Sequence, residues 1–199
     1  MHLSTMNDAV GKLERNQKIL ELQLKEEREE GEADPRTLLY LMKIYTEEGD
    51  AEHLNLCLEM GEEYLLKSGW DEERANCCDL MAICYTKLGD YPSAIKFLHK
   101  AIEEYPHQPL HYIRLALSYF NMDKFRESKH WLSIASQLDL DSKTAGINNI
   151  KELKVLFSQL LLKIKYNVDK DLKGSVEAAN LLYKEQPIEA NHQNLLFLM

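Results

Sequence analysis

The chain has 199 residues, of which 45% are hydrophobic and 29% are charged, and glycine (8) and proline (5) are scarce. This composition is typical of a globular protein and favours helices over sheets. The net charge of −9 argues against a nucleic-acid partner, because phosphate backbones repel an acidic surface.

The chain has no apolar run near the ~18 residues of a membrane span, and its start lacks the pattern of a signal peptide. We therefore predict no membrane span. The cysteines form no C-x-x-C pair and no zinc pattern, which predicts buried thiols in a reducing compartment; they are Cys57, Cys77, Cys78 and Cys84. We expect a cytoplasmic protein with no metal and no cofactor.

The first predicted element covers residues 1–34. Apolar residues recur on one side at Leu13, Ile19, Leu20 and Leu24, and a run of charged residues follows at 25–30. A one-sided stripe of this kind indicates an amphipathic helix. We predict a capping helix, or half-repeat, that covers the open end of the next element.

Three self-similar segments follow, and a turn marks each of the first two. Gly49-Asp50 and Gly89-Asp90 align, and a shift of 34 residues then maps Ala82 onto Ala116 and Tyr85 onto Tyr119. Such a period predicts repeated helix pairs that bury their apolar faces only by stacking. The predicted repeats are 35–74, 75–108 and 109–142, approximately.

This pattern resembles the tetratricopeptide repeat (TPR). Small residues recur where the two helices of a pair approach each other, at Ala82, Ala94, Ala101, Ala116, Ser128 and Ala135. The first repeat departs from the pattern, because Met42 occupies a small position and Leu54 and Gly61 replace alanine-like residues. The resemblance implies an all-α fold, a right-handed superhelical α-solenoid of antiparallel helix pairs with capping helices.

The last segment, 143–199, is predicted as a degenerate fourth helix pair and a C-terminal helix. One stripe contains Ile150, Leu153, Leu156, Phe157, Leu160, Leu161 and Ile164, and a second contains Leu172, Val176, Ala179 and Leu182. Pro187 precedes a last short helix at 188–198. Because the final residues are apolar, we expect that this segment is truncated.

No group of residues predicts catalysis. Asp139 and Asp141 form a D-x-D, which we interpret as capping at a helix end rather than as a metal site. His107 and His111 are separated by Pro109, so we interpret them as surface histidines rather than as metal ligands. For the adjacent Cys77 and Cys78, packing is favoured over a reactive thiol at a helix start. We expect that the chain is not an enzyme.

The remaining candidate is a concave partner-binding surface on the first helices of the pairs. Its residues are Leu39, Tyr40, Lys43, Asp79, Leu80, Ile83, Lys87, Leu110, Ile113, Arg114, Leu117, Phe120 and Asn121. They suit a protein or peptide partner, unless the C-terminal helices cover the third repeat. A homodimer is also compatible with them. Repeat domains that bind acidic chaperone tails use a lysine-and-asparagine clamp, and here only Arg114 fits one of its positions.

Two motifs carry a second resemblance. The segment from Arg15 through Asp34-Pro-Arg-Thr, and the Gly69-Trp-Asp-Glu-Glu turn, resemble the helical-repeat region that follows the catalytic domain of family 2 glycosyltransferases. The likeness covers residues 12–140 and implies a non-catalytic accessory or scaffold region, because no catalytic position matches. The alternative is a free-standing adaptor or chaperone that binds a partner's apolar peptide or helix.

Overall fold

The computed structural model describes residues 2–141 and 150–185, with side chains from residue 15 onward. Every regular element in these ranges is helical, which confirms the predicted all-α class. The helices are α1 (His2–Glu30), α2 (Pro35–Glu48), α3 (Ala51–Lys67), α4 (Asp71–Lys87), α5 (Tyr91–Glu104), α6 (Pro109–Asn121), α7 (Phe125–Ala135), α8 (Ile150–Lys163) and α9 (Leu172–Glu185), with a π-helical turn at Ile164–Val168.

The chain divides into two compact units, Met1–Pro106 and His107–Met199. In the first unit α1 packs on α2, α2 pairs with α3, α3 packs on α4, and α4 pairs with α5. Helix α4 begins at Asp71, so the segment assigned to the first repeat ends inside it. The small residues Ala82, Ala94 and Ala101 are buried, which allows α4 and α5 to approach closely.

The turns of the first unit follow from the two Gly-Asp pairs. Gly49 and Gly89 have φ of 73° and 81°, a left-handed conformation that glycine adopts without a steric penalty. The Asp50 carboxylate then accepts hydrogen bonds from the backbone N–H groups of Glu52 and His53. Asp90 does the same for the N–H of Ser93. Each Gly-Asp dipeptide therefore ends one helix and starts the next.

The departures of the first repeat compensate each other. Met42 is fully buried at the position where the next repeat has Ala82. The added volume is accommodated opposite it, because a Cβ on Gly61 would lie 3.1 Å from Met42 Cε and 2.6 Å from Met81 Sδ. Met42 and Gly61 thus replace the two small residues that face each other in the next repeat.

In the second unit α6 pairs with α7, α8 pairs with α9, and α8 packs on α6. Asp123 replaces the turn glycine and has φ of 58°, a conformation that aspartate tolerates better than most residues. The first predicted C-terminal stripe is confirmed, because Leu153, Leu160 and Ile164 are buried.

Half of the second C-terminal stripe was predicted wrongly, because Ala179 and Leu182 are half-buried on α9 but the other two residues are exposed. Leu172 and Val176 are 70% and 61% exposed, whereas Ser175 and Ala178 are buried. Small side chains face α8 because the two helices lie close together. The predicted helix at 188–198 and the apolar end lie outside the described residues.

Candidate partner-binding surface

In the first unit the predicted surface separates into a buried and an exposed part. Leu39, Asp79 and Leu80 are at most 8% exposed and belong to the core between helices. Tyr40 and Lys87 are exposed, and Lys43 and Ile83 are half-buried. The accessible part of the surface is therefore narrower than the sequence predicted.

Tyr40 is the most prominent residue of this exposed part. Its side chain is 55% exposed, and Lys43, one turn further along α2, places Nζ 5.7 Å from the centre of the Tyr40 ring. That distance is within the range of a cation–π interaction. The pair presents an aromatic face and a positive charge side by side.

Lys87 brings a second cation from α4 to the end of α2. Its Nζ donates a hydrogen bond to the Thr46 backbone carbonyl at 2.5 Å. That carbonyl lies in the last turn of α2, where unpaired carbonyls and the helix dipole favour a cation. The exposed Arg36 lies one turn before Tyr40. Arg36 was not among the predicted surface residues, although its spacing places it on the same stripe.

In the second unit the predicted residues form a stripe along α6. Leu110, Arg114, Leu117 and Phe120 are half-buried, Asn121 is exposed, and Ile113 is fully buried. The Phe120 ring packs edge-on against Phe125, with 5.4 Å between ring centres. Helix α8 contacts α6 but leaves most of this stripe partly accessible.

The aspartates of the D-x-D have structural partners. Asp139 Oδ1 accepts a hydrogen bond from the Asp141 backbone N–H at 2.9 Å, and Asp141 pairs with Lys154 at 2.5 Å. They follow the end of α7 at Ala135 and stabilise the chain there. These contacts are a local turn and an ion pair, and the predicted capping of a helix end is not among them.

The two histidines and the two adjacent cysteines of the sequence prediction differ in burial. His107 is exposed, but His111 is 4% exposed, so the surface assignment was wrong for His111. Cys77 and Cys78 lie two turns into α4 and are fully buried. Burial raises the pKa of Cys78 to about 12 and raises that of Cys77 as well. Both thiols therefore remain protonated and serve as packing residues.

A shallow groove of about 410 Å³ lies along α1, α2 and α3. Its apolar lining includes Leu24, Tyr45, Leu56 and Met60, and charged residues of α1 surround them. At the groove the Tyr45 hydroxyl donates a hydrogen bond to Glu21 Oε1 at 3.0 Å. Burial raises the pKa of Tyr45, which favours the protonated hydroxyl.

A candidate for metal binding in the described side chains is the group Glu48, Asp50 and His53, whose potential ligand atoms lie within 4.8 Å of one another. The two ring nitrogens of His53 face different carboxylates, Asp50 at Nδ1 and Glu48 at Nε2. A single ion would be bound by one ring nitrogen and would need both carboxylates on that side of the ring. The arrangement therefore suits a protonated imidazole better than a metal.

Residues 80–107 match the sequence model of the tetratricopeptide repeat. This TPR match runs from α4 through α5, the pair with the most regular pattern. No curated protein matches the chain.

Two solved structures are similar to this chain in fold over a longer range. The structure titled "Crystal structure of MamA" superposes with a TM-score of 0.61 at 14% identity and covers 94% of this chain and 96% of its own. The Pseudomonas aeruginosa pilF structure has a TM-score of 0.57 at 13% identity and covers 83% of this chain and 67% of its own. These similarities show the fold, an α-solenoid of helix pairs. Among the described helices, none is both long and apolar enough to cross a membrane.

Proposed function

We propose that this chain is a non-catalytic TPR-type interaction module that binds a segment of a partner protein through the first helices of its pairs. The observation that carries the proposal is the exposed Tyr40 with Lys43 beside its ring. Aromatic residues flanked by cations are frequent anchors in interfaces. The fold and the TPR match support the same role.

The charges around Tyr40 favour one kind of partner. Arg36 and Lys43 lie within about one turn of Tyr40 on α2 and are basic, and the exposed Glu47 lies two turns beyond it. A segment with an apolar or aromatic side chain next to a carboxylate would complement these groups. We include a second copy of the chain among the candidate partners, and multi-angle light scattering would detect a homodimer.

Peptide selection tests this proposal. Peptides enriched on the wild-type protein from a random displayed library should bind Tyr40→Ala/Lys43→Ala at least about tenfold more weakly, a loss of about 1.4 kcal/mol. The matched control is Tyr183→Ala/Lys184→Ala, which removes an exposed tyrosine and an exposed lysine from α9. Equal loss in both variants, or no enriched peptide, would contradict the proposal.

The second part of the proposal concerns the class of protein to which this module belongs. The motifs within residues 12–140 favour an accessory region of a glycosyltransferase-like protein, and the four free, buried cysteines suit a reducing compartment such as the cytoplasm. The support for the enzyme context is the sequence motifs alone. The intact mass of the native polypeptide tests it: a mass larger by a catalytic domain supports the accessory region, and the mass of 199 residues favours a free-standing adaptor or chaperone.

A further inference from the structure

The turn between α2 and α3 holds a histidine between two carboxylates. His53, in the first turn of α3, directs Nδ1 at Asp50 Oδ2, and its Nε2 lies 3.3 Å from Glu48 Oε2. Glu48 is the last residue of α2 and Asp50 is the N-cap of α3. The imidazole therefore bridges the end of one helix and the start of the next.

One of these carboxylates, that of Glu48, connects this turn to α1. Gln17 of α1 donates from Nε2 to Glu48 Oε2 at 3.5 Å and to Glu21 Oε1 at 3.1 Å. Glu21 Oε1 also accepts a hydrogen bond from the Tyr45 hydroxyl at 3.0 Å. The Tyr45 ring in turn packs on the His53 ring, with 4.7 Å between centres. A continuous polar network thus joins α1, α2 and α3.

Only the protonated imidazole satisfies both contacts of His53. Imidazolium donates from both nitrogens, whereas neutral imidazole turns one lone pair toward a carboxylate. The charged groups that face the ring are Asp50, Glu48 and Glu52. On α4, Lys87 is held by the Thr46 carbonyl. The surroundings of His53 are therefore mainly acidic.

We propose that His53 is a proton-operated clasp, which closes the α2–α3 turn and fastens α1 to it when both ring nitrogens are protonated. Loss of the proton breaks one of the two contacts and loosens the network. The clasp regulates how firmly α1 covers the open end of the first repeat. The proposal is independent of the partner-binding function.

The pKa shifts of His53 and Asp50 determine how the stability of the clasp depends on pH. The hydrogen bond with Asp50 raises the pKa of His53, so its stabilisation is present below the ordinary value of ~6.5 and is lost as pH rises through the folded pKa. The same bond lowers the pKa of Asp50. Its stabilisation is present above the ordinary aspartate value of ~3.9 and is lost as pH falls through the folded pKa. The clasp is therefore closed at mildly acidic pH and opens as the pH rises through the raised pKa of His53.

Histidine NMR titration of the full chain tests the clasp directly. The imidazole of His53 should titrate at a higher pH in the folded protein than in urea. Glu48→Gln should move that midpoint back toward the urea value, because it removes one carboxylate and leaves the Asp50 cap intact. A folded midpoint at or below the urea value would overturn the proposal.

Hydrogen exchange tests the connection to α1. After correction for intrinsic rates, protection of amides in residues 15–30 should fall between pH 6.0 and 8.5 in the wild type but not in His53→Gln. The control His130→Gln, in an exposed position on α7, should behave like the wild type. If His53→Gln keeps the wild-type pH dependence, the clasp does not exist. Should that variant fail to fold, Glu48→Gln provides the same comparison.

Discussion

Packing between α2, α3 and α4 depends on single side chains whose volumes compensate one another. Met42 and Met81 are fully buried, and both reach the space in front of Gly61. Protein interiors are packed as densely as organic crystals, so a methyl group added there must displace a neighbour. The glycine is therefore required by the two methionines and not by backbone conformation.

We expect Gly61→Ala to destabilise the protein even though alanine is the better helix former. The gain in helix propensity is about 1 kcal/mol, and overpacking costs about 1–3 kcal/mol. The expected net loss is about 1 kcal/mol, or ~2–4 °C in Tm for a chain of this length. Thermal unfolding followed by circular dichroism measures it.

Gly69→Ala is the matched control for this substitution. A Cβ at Gly69 meets nothing within 4 Å, so its Tm should stay within about 1–2 °C of the wild type. A rise in Tm for Gly61→Ala would show that the methionines move aside freely.

At the scale of helices, Arg74 connects three elements of the first unit. Its Nη1 donates to the backbone carbonyls of Leu65 at 2.7 Å and Ser68 at 2.8 Å, at the end of α3. Its Nε and Nη2 both donate to Glu104 Oε1, the last residue of α5. The hydrogen bond with Arg74 lowers the pKa of Glu104. The Arg74 guanidinium on α4 therefore binds the C-terminal ends of both α3 and α5.

We expect Arg74→Ala to lower the free energy of unfolding by about 2–3 kcal/mol, because two helix-end carbonyls and one carboxylate lose their donor. Arg74→Lys should recover only part of the loss, since a single ammonium cannot reproduce the planar fork. Urea denaturation measures both. The exposed Arg36 provides the control, and Arg36→Ala should change stability by at most ~0.5 kcal/mol. Similar losses for Arg36→Ala and Arg74→Ala would contradict this role.

At the scale of the whole molecule, each of the two compact units contains its own buried core. The first unit buries residues from successive helices, including Leu38, Leu41, Leu54, Met81 and Leu98. In helical repeat proteins each element depends mainly on its neighbours, so part of an array can fold without the rest. The first unit should therefore be an autonomous folding unit.

A fragment of residues 1–106 should show a helical circular-dichroism spectrum and unfold cooperatively. A fragment of residues 1–90 lacks α5 and leaves the face of α4 that contains Ala82 uncovered. It should show less helix per residue and a broader transition. If both fragments are equally disordered, the first unit does not fold alone.

The helices, the turns and the repeated pairs were predictable because local chemistry specifies them. Glycine with positive φ followed by a capping aspartate stops one helix and starts the next at Gly49 and Gly89. The periodic spacing of small and apolar residues identified the close faces of α4 and α5. These signals depend on residues near one another in sequence.

Tertiary structure alone decided which residues of a predicted face are accessible. Helical spacing placed Leu39, Tyr40, Asp79 and Leu80 on the first helices, but only Tyr40 is exposed, because burial depends on the neighbouring helix. The same reason explains why Leu172 and Val176 of α9 are exposed. The bridge from His53 to Glu48 joins two helix ends, and no periodic pattern encodes it. The sequence determined the helix pairs, and packing between them determined the surface that is left for a partner.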